Sequence, residues 1–235
     1  MIAWVCEMFS EKDSFVFISN REHLKNSSYR AVLNSVVPRF EVVEVDPHDH
    51  GPLVSVLAAK GCVEEDEPIL ISYCDFTVHW DYRQFLRYAA MQDGTIVAFR
   101  GYHPASFGST FYGYLRTQEE KVLEVREKQS FTDHRHEEFA AAGIYHFASW
   151  RLFERYAREM IAADVRCGSE YQVSLLYNPM VRDERSVGVY EAKKFICWGT
   201  PQDVEEWHFW SRYFTRCSHA KMELPHPALT PRVSE

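Results

Sequence analysis

The chain has 235 residues, of which 34 are acidic and 26 are basic, and its formal net charge is −8. A hydrophobic fraction of 46% supports one sizeable buried core and excludes a disordered chain. The acidic balance, without any block of Lys or Arg, argues against a nucleic-acid-binding surface. No signal peptide and no apolar run of the ~18–20 residues needed to span a membrane is visible, so we expect a cytoplasmic protein without a membrane partner.

The six cysteines show no CxxC motif and no regular spacing. A zinc site or a disulfide framework is therefore not predicted. Reduced, mostly buried thiols are expected instead, as in cytosolic proteins generally.

The first half of the chain alternates between strand-like and helix-like segments. The predicted strands are 14–19, 40–45, 68–74 and 95–101, and the predicted helices are 22–37, 52–59 and 81–91. The nearly continuous apolar run 68–74 is typical of a strand that is covered on both faces. The dipeptide Gly51-Pro52 is a normal helix start, because Pro fits the first helical turn.

The second half continues the alternation. The predicted strands are 111–115, 121–126, 143–147, 186–191 and 194–197, and the predicted helices are 150–163, 170–181 and a last helix with Thr200 as N-cap and Pro201 in its first turn. Residues 1–219 are therefore predicted to form one α/β domain with a mostly parallel sheet. Residues 220–235 are rich in Pro and polar side chains, which predicts a flexible tail.

Charged residues follow two of the predicted strands. Asp75 comes after the apolar run 68–74, and Glu127 and Lys128 come after the strand 121–126. In an open α/β sheet, ligands bind in the crevice beyond the carboxyl ends of the strands. A carboxylate there suits Mg²⁺, and an ammonium suits a phosphate. Two plainer interpretations remain open: Asp75 as a turn cap, and Glu127-Lys128 as a solvated turn in which neighbouring side chains point to opposite faces.

Two further segments are candidates for ligand contact. Gly143, followed by Ile144 and Tyr145, would let a strand backbone approach a ligand closely, or would simply belong to a core strand. Glu170 would bind sugar hydroxyls, or would favour a helix N-terminus. The paired histidines of 48–50 and 134–136 lie in charged loops, and we do not interpret them as metal ligands.

The order of these residues resembles the sugar-nucleotidyltransferase superfamily, the nucleotide-sugar pyrophosphorylases. The similarity covers about residues 10–212, and its closest likeness is to a bacterial subgroup found with capsule and surface-polysaccharide genes. The motif segments that carry it are 73–76, 124–129, 131–133 and 168–174, together with Gly51-Pro52, Gly113, Gly143-Ile144-Tyr145 and Trp198-Gly199-Thr200-Pro201.

The resemblance implies a Rossmann-like three-layer sandwich with a mixed, mostly parallel central sheet. It also implies a reaction in which a sugar 1-phosphate attacks the α-phosphorus of a nucleoside triphosphate and pyrophosphate leaves. Both substrates are the expected partners, Mg²⁺ is the expected cofactor, and homo-oligomerisation stays open. The implied catalytic residues are Asp75, as Mg²⁺ ligand, and Lys128, which would hold the sugar phosphate. The implied substrate-binding residues are Gly51, Pro52, Gly113, Glu127, Gly143, Tyr145 and Glu170.

Two departures from the family pattern bear on activity. No Gly precedes Gly51, so the first strand and the Gly-rich nucleotide-binding loop of the family are predicted to be absent, which would leave two neighbouring strands without backbone partners. Cys197 stands where the family has a second metal-binding Asp, and a thiol is a poor Mg²⁺ ligand. The chain is therefore either a nucleotidyltransferase, inactive if the loop is truly missing, or a non-catalytic relative that binds a sugar phosphate or pairs with another subunit. A glycosyltransferase is a weaker alternative, because Asp75 is not part of an Asp-x-Asp pair.

Overall fold

The computed structural model describes residues 1–26, 28–101, 103 and 111–219. The chain divides into two compact units, Met1–Ile196 and the segment that begins at Cys197. The predicted flexible tail 220–235 lies outside the described residues.

Helices and strands alternate along the first unit. The helices are α1 (Ile2–Cys6), α2 (Arg21–Leu24), α3 (Ser28–Val36), α4 (Pro52–Leu57), α5 (Tyr82–Ala89), α6 (Trp150–Ala162) and α7 (Tyr177–Arg182), with 3-10 turns at Arg135–Glu137 and Val173–Leu176. The strands are β1 (Phe15–Asn20), β2 (Phe40–Val45), β3 (Ile69–Ser72), β4 (Phe76–His79), β5 (Gly94–Phe99), β6 (Gly113–Gln118), β7 (Lys121–Glu127), β8 (Phe139–Phe147), β9 (Val187–Glu191) and β10 (Lys194–Cys197). The second unit contains α8 (Pro201–His219).

The central sheet has six strands in the order β3-β8-β5-β9-β7-β6. Strands β3 and β5 both pair antiparallel with β8, and β9 pairs parallel with β5. Strand β7 is antiparallel to β9, and β6 is antiparallel to both β7 and β8. Four strands thus point one way and two the other, which confirms the predicted α/β fold with a mixed sheet. Two smaller sheets pair β1 with β2 and β4 with β10.

Two glycines show that helices cover both faces of this sheet. Gly94 and Thr95 are successive residues of β5, and the parallel register places Gly188 of β9 beside Thr95. Because successive strand residues face opposite sides, Gly94 and Gly188 also face opposite sides. A Cβ on Gly188 would lie 2.9 Å from the ring of Tyr88 in α5, and one on Gly94 would lie 2.7 Å from the ring of Tyr177 in α7. The predicted three-layer arrangement follows from these close approaches.

The apolar run 68–74 is less buried than predicted. It forms β3 only over Ile69–Ser72, and among the described strands β3 pairs only with β8, so it lies at the edge of the six-stranded sheet. Most of its side chains are half-buried rather than covered on both faces. Strand β1 is similarly half-buried and pairs, within the described residues, only with β2. A missing neighbouring strand stays a prediction.

Two other differences have local causes. The predicted helix 22–37 is divided into α2 and α3, and next to the break the Asn26 side chain accepts a hydrogen bond from Ser28 N at 3.0 Å. The predicted helix 170–181 becomes α-helical only from Tyr177, which places Pro179 in the first turn, where its missing N–H costs nothing. Strand β4, which pairs with β10, was not predicted. No described helix is both long and apolar enough to cross a bilayer.

Candidate functional site

The carboxylate of Glu127 occupies space that Gly113 leaves open. The two residues are directly opposite each other in the β6–β7 pair. A Cβ on Gly113 would lie only 2.7 Å from Oε2 of Glu127. The same oxygen accepts a hydrogen bond from the Ser174 hydroxyl at 2.5 Å. Gly113 and Ser174 together therefore fix the position of the Glu127 carboxylate.

Burial makes this carboxylate harder to ionise. Desolvation raises the pKa of Glu127, and the nearby Glu170 raises it further, whereas the Ser174 hydrogen bond and the charge of Lys128 lower it. The net direction is upward. A buried carboxylate of this kind binds hydroxyl donors strongly, because little water competes for it.

Lys128 leaves the strand in a left-handed conformation, with φ of 57°. Its backbone N–H donates to the carbonyl of Tyr112 at 2.9 Å, which anchors the turn. The Nζ atom lies 3.7 Å from Oε2 of Glu170, and both side chains are roughly half exposed. Glu127 and Lys128 therefore reach different partners, and the ammonium remains accessible to an anion.

Contacts with residues before and after it in the sequence fix the position of Glu170. It forms an isolated bridge with Cys167, and its carboxylate accepts a hydrogen bond from Gln172 at 2.8 Å. Gly51, with φ of 89°, approaches so closely that a Cβ there would lie 2.7 Å from the Cβ of Glu170. The start of α4 at Pro52 is thereby brought against Glu170.

Tyr73 lies near the carboxylates of Glu127, Asp75 and Glu170. Its backbone N–H donates to the carbonyl of Gly143 at 3.0 Å, and its ring packs edge-on against Tyr145 with centroids 5.7 Å apart. Its hydroxyl is buried and has no well-oriented hydrogen-bond partner among the described residues. Burial raises the pKa of Tyr73 strongly, and the nearby carboxylates of Glu127, Asp75 and Glu170 add to the increase. The hydroxyl therefore lies within the field of three carboxylates.

Gly143 has a structural reason to be glycine. Its φ is 94°, and a Cβ would lie 2.9 Å from the ring of Phe76 and 3.3 Å from that of Tyr73. It lies where the β5–β8 register shifts, at a bulge in β8. Contact between Gly143 and a ligand stays a prediction.

Asp75 lies in the bend between β3 and β4, and it is exposed. Within the described part of the chain, no three His, Cys, Asp or Glu side chains form a group that could hold a metal ion. A single exposed carboxylate nevertheless fits Mg²⁺, which takes one or two protein carboxylates and fills its remaining positions with water and phosphate oxygens. Asp75 is the residue that would hold it.

The structure brings the predicted residues together by a route different from the predicted one. We expected the carboxyl ends of parallel strands to gather them at one edge. Strand β7 instead runs opposite to β3, so Asp75 and Lys128 follow strands of opposite direction. Both chain segments nevertheless lead to the same stretch of β8. Glu127 lies opposite Gly113, whose neighbour Tyr114 pairs with Ala140. Tyr73, two residues before Asp75, donates its backbone N–H to the carbonyl of Gly143.

Two members of the cluster lie within motif segments, 73–76 and 168–174, but no role was predicted for either residue. Nothing in the segment 168–174 linked Ser174 to Glu127. Tyr73 did have a signal, because it stands two residues before Asp75, but a Tyr at the end of an apolar run looks like ordinary core.

A concave region of the surface contains none of the predicted site residues, although Arg126, Phe131 and Thr132 of the motif segments line it. It is lined by Arg100, which follows β5, and by residues of β6, β7 and the loop before β8, among them Arg116 and Arg126. Each guanidinium is paired with a carboxylate: Arg100 with Glu191, and the other two with Glu124. Glu137 and Glu138 also line the region, so the carboxylates outnumber the guanidinium groups and the region is not a strong anion site.

The segment from Cys197 onward forms a well-capped helix. The backbone N–H and the hydroxyl of Thr200 both donate to the Asp203 carboxylate at 2.8 Å, and the Asp203 N–H donates back to the Thr200 hydroxyl at 3.2 Å. This reciprocal arrangement confirms Thr200 as the predicted N-cap. The thiol of Cys197 accepts from the N–H of Gly199 at 3.3 Å. The five cysteines with described side chains are not joined in disulfides.

Comparisons with known proteins identify the fold class. No family model and no curated protein sequence matches the chain. Among solved structures, a nucleoside-diphosphate-sugar pyrophosphorylase from Vibrio cholerae matches with a TM-score of 0.68 and 18% identity, over 87% of this chain and 84% of that one. An apo UDP-glucose pyrophosphorylase matches with a TM-score of 0.66 and 15% identity, over 92% and 87%. The inositol-1-phosphate CTP transferase of T. maritima matches with a TM-score of 0.58 and 13% identity, over 91% and 79%. The chain therefore has the fold of the sugar-phosphate nucleotidyltransferases.

Proposed function

We propose that this chain is a nucleotidyltransferase that transfers a nucleotidyl group from a nucleoside triphosphate to a sugar 1-phosphate, with release of pyrophosphate. The observation that carries the proposal is the cluster of Tyr73, Glu127, Lys128 and Glu170. A buried carboxylate for sugar hydroxyls beside an accessible ammonium for a phosphate suits a sugar phosphate. The fold shared with nucleotide-sugar pyrophosphorylases supports it.

The proposed chemistry depends on alignment and charge rather than on a covalent intermediate. Glu127 would accept hydrogen bonds from the sugar hydroxyls and so fix the ring, with Gly113, Gly143 and Tyr145 around it. Lys128 would turn from Glu170 to the sugar phosphate and orient an oxygen toward the α-phosphorus. The excess of carboxylates over ammonium groups at this cluster implies that a bound anion needs a further cation. Mg²⁺ at Asp75 would neutralise charge on the phosphates.

The biological setting follows from the sequence resemblance alone. We propose that the product is a nucleotide-activated sugar for surface or capsule polysaccharide, made in the cytoplasm. The start of α4 at Gly51-Pro52 would lie against the base.

A second candidate is a protein that binds a sugar phosphate without transferring a nucleotide. This candidate needs only the groups that suit a sugar phosphate, which are the buried carboxylate of Glu127 and the accessible ammonium of Lys128. Pyrophosphate release should be measured with a panel of sugar 1-phosphates and nucleoside triphosphates in the presence of Mg²⁺. Turnover supports the transferase; calorimetric binding of a sugar phosphate without turnover or triphosphate binding supports the second candidate.

A further inference from the structure

Helix α8 carries a set of large aromatic side chains on its surface. Phe209, Trp210 and Phe214 are 58%, 51% and 62% exposed, and Tyr213 is 46% exposed. The rings form one continuous group: Trp210 contacts Phe209, Tyr213 and Phe214, with centroids 5.3 to 5.9 Å apart. We call these four residues the aromatic face. Exposed apolar patches of this kind usually mark an interaction surface.

The charges of α8 are divided between its two halves. Asp203, Glu205 and Glu206 lie before the aromatic face, and no basic residue accompanies them. Arg212 and Arg216 lie within and after it, and no acidic residue follows Glu206 in the helix. Acidic residues near the N-terminus and basic residues near the C-terminus interact favourably with the helix dipole. This interaction does not account for the exposed aromatic rings.

We infer that the aromatic face pairs with the same face of a second copy of this chain, with the two α8 helices antiparallel. The aromatic positions are symmetric about the midpoint between Ser211 and Arg212. An antiparallel two-fold pairing therefore sets Trp210 against Tyr213 of the second copy, and Phe209 against Phe214. The same pairing places Glu206 of each helix opposite position 217 of the other, next to Arg216, whereas a parallel pairing would bring like charges together.

The size of the face is sufficient for the centre of such an interface. An aromatic side chain buries ~150–250 Å² when fully covered. Four half-exposed rings therefore offer a few hundred Å², against the roughly 800 Å² that each partner contributes to a standard interface. The flanking charged residues supply the rest as a polar rim. A lipid surface is less suited, because the acidic half of α8 would be repelled by anionic headgroups.

The inference is independent of the proposed activity and is tested on the full chain by sedimentation equilibrium. The wild-type chain should be a dimer. Trp210→Glu and Phe214→Glu should each raise the dimer dissociation constant by roughly thirtyfold, as expected for an aromatic interface anchor. Met91→Glu is the matched control, because Met91 is 72% exposed outside α8, and it should leave the dimer intact.

A charge exchange tests the antiparallel direction and does not depend on how the aromatic variants fold. Glu206→Arg should weaken the dimer, and Glu206→Arg combined with Arg216→Glu should restore it. Far-UV circular dichroism should be unchanged in all variants. A monomeric wild type, an intact Trp210→Glu dimer, or a double variant as weak as Glu206→Arg would overturn the inference. Binding of monomeric wild-type chain to phosphatidylcholine vesicles would overturn it as well.

Discussion

The ammonium of Lys128 and the carboxylate of Glu170, from distant parts of the chain, lie 3.7 Å apart at the surface of the candidate site. Both side chains are roughly half exposed, so this pair contributes little to stability, about 0–1 kcal/mol. The ammonium of Lys128 is therefore loosely held, and it lies next to the buried carboxylate of Glu127. We interpret Lys128 as a ligand-binding residue rather than a structural one.

Replacement of Lys128 tests this interpretation. We expect Lys128→Ala to weaken sugar 1-phosphate binding about tenfold or more, because a charge-assisted hydrogen bond to phosphate is lost. Thermal stability should hardly change. Lys121→Ala, at the other end of the same strand, is the matched control. Equal affinity of wild type and Lys128→Ala, measured by calorimetry, would remove Lys128 from the site.

Asp75→Asn tests the proposed magnesium ligand. The side chain is exposed, so the unfolding transition should be unchanged, while Mg²⁺-dependent turnover should fall by roughly a hundredfold or more. Asp66→Asn, an exposed aspartate paired with Arg151, should retain full turnover. Full activity of Asp75→Asn at low Mg²⁺ concentration would show that the metal is held elsewhere.

Two glycine substitutions should separate a binding role from a folding role. In Gly113→Ala the new Cβ meets the end of the Glu127 side chain, which can rotate away, so we expect lost sugar-phosphate affinity with little loss of stability. In Gly143→Ala the new Cβ meets the Phe76 ring in a backbone conformation with φ of 94°, so we expect a loss of about 2 kcal/mol or more. Chemical denaturation and calorimetry on both variants distinguish the outcomes, and a reversed pattern would contradict these assignments.

The raised pKa of Glu127 predicts a specific pH dependence of stability. The folded state holds the proton more tightly than the unfolded state, so stability falls as pH rises from the ordinary carboxyl range through the folded-state pKa. Glu127→Gln removes this loss. The variant should therefore gain stability relative to wild type at neutral pH, but not at pH values below the ordinary carboxyl range. Melting curves of both proteins across pH test this, and parallel curves would show that Glu127 ionises normally.

The α/β class and most elements of the fold could be predicted from the sequence, because local patterns specify them. Strand β2 has the predicted bounds, and α6 matches within one residue. The order of strands in the sheet could not be predicted, since it depends on long-range pairing. For that reason the apolar run 68–74 was predicted to be covered on both faces, whereas β3 lies at an edge among the described strands and is mostly half-buried.

The candidate site was predictable in part for a similar reason. The sequence alone shows that four charged residues stand at the ends of apolar segments: Asp75, Glu127, Lys128 and Glu170. The hydrogen bond from Ser174 to Glu127 and the buried hydroxyl of Tyr73 depend on tertiary packing. Both residues lie in motif segments of the sequence, but those segments do not show which groups the side chains contact.

The most direct test of a sugar-phosphate site at this cluster is calorimetric titration of the wild-type chain with a panel of sugar 1-phosphates in the presence of Mg²⁺. We predict binding of at least one sugar 1-phosphate, with a much weaker response to the free sugar, because Lys128 would no longer have a phosphate to bind. Failure of the whole panel to bind, or equal affinity for sugar and sugar phosphate, would contradict the account.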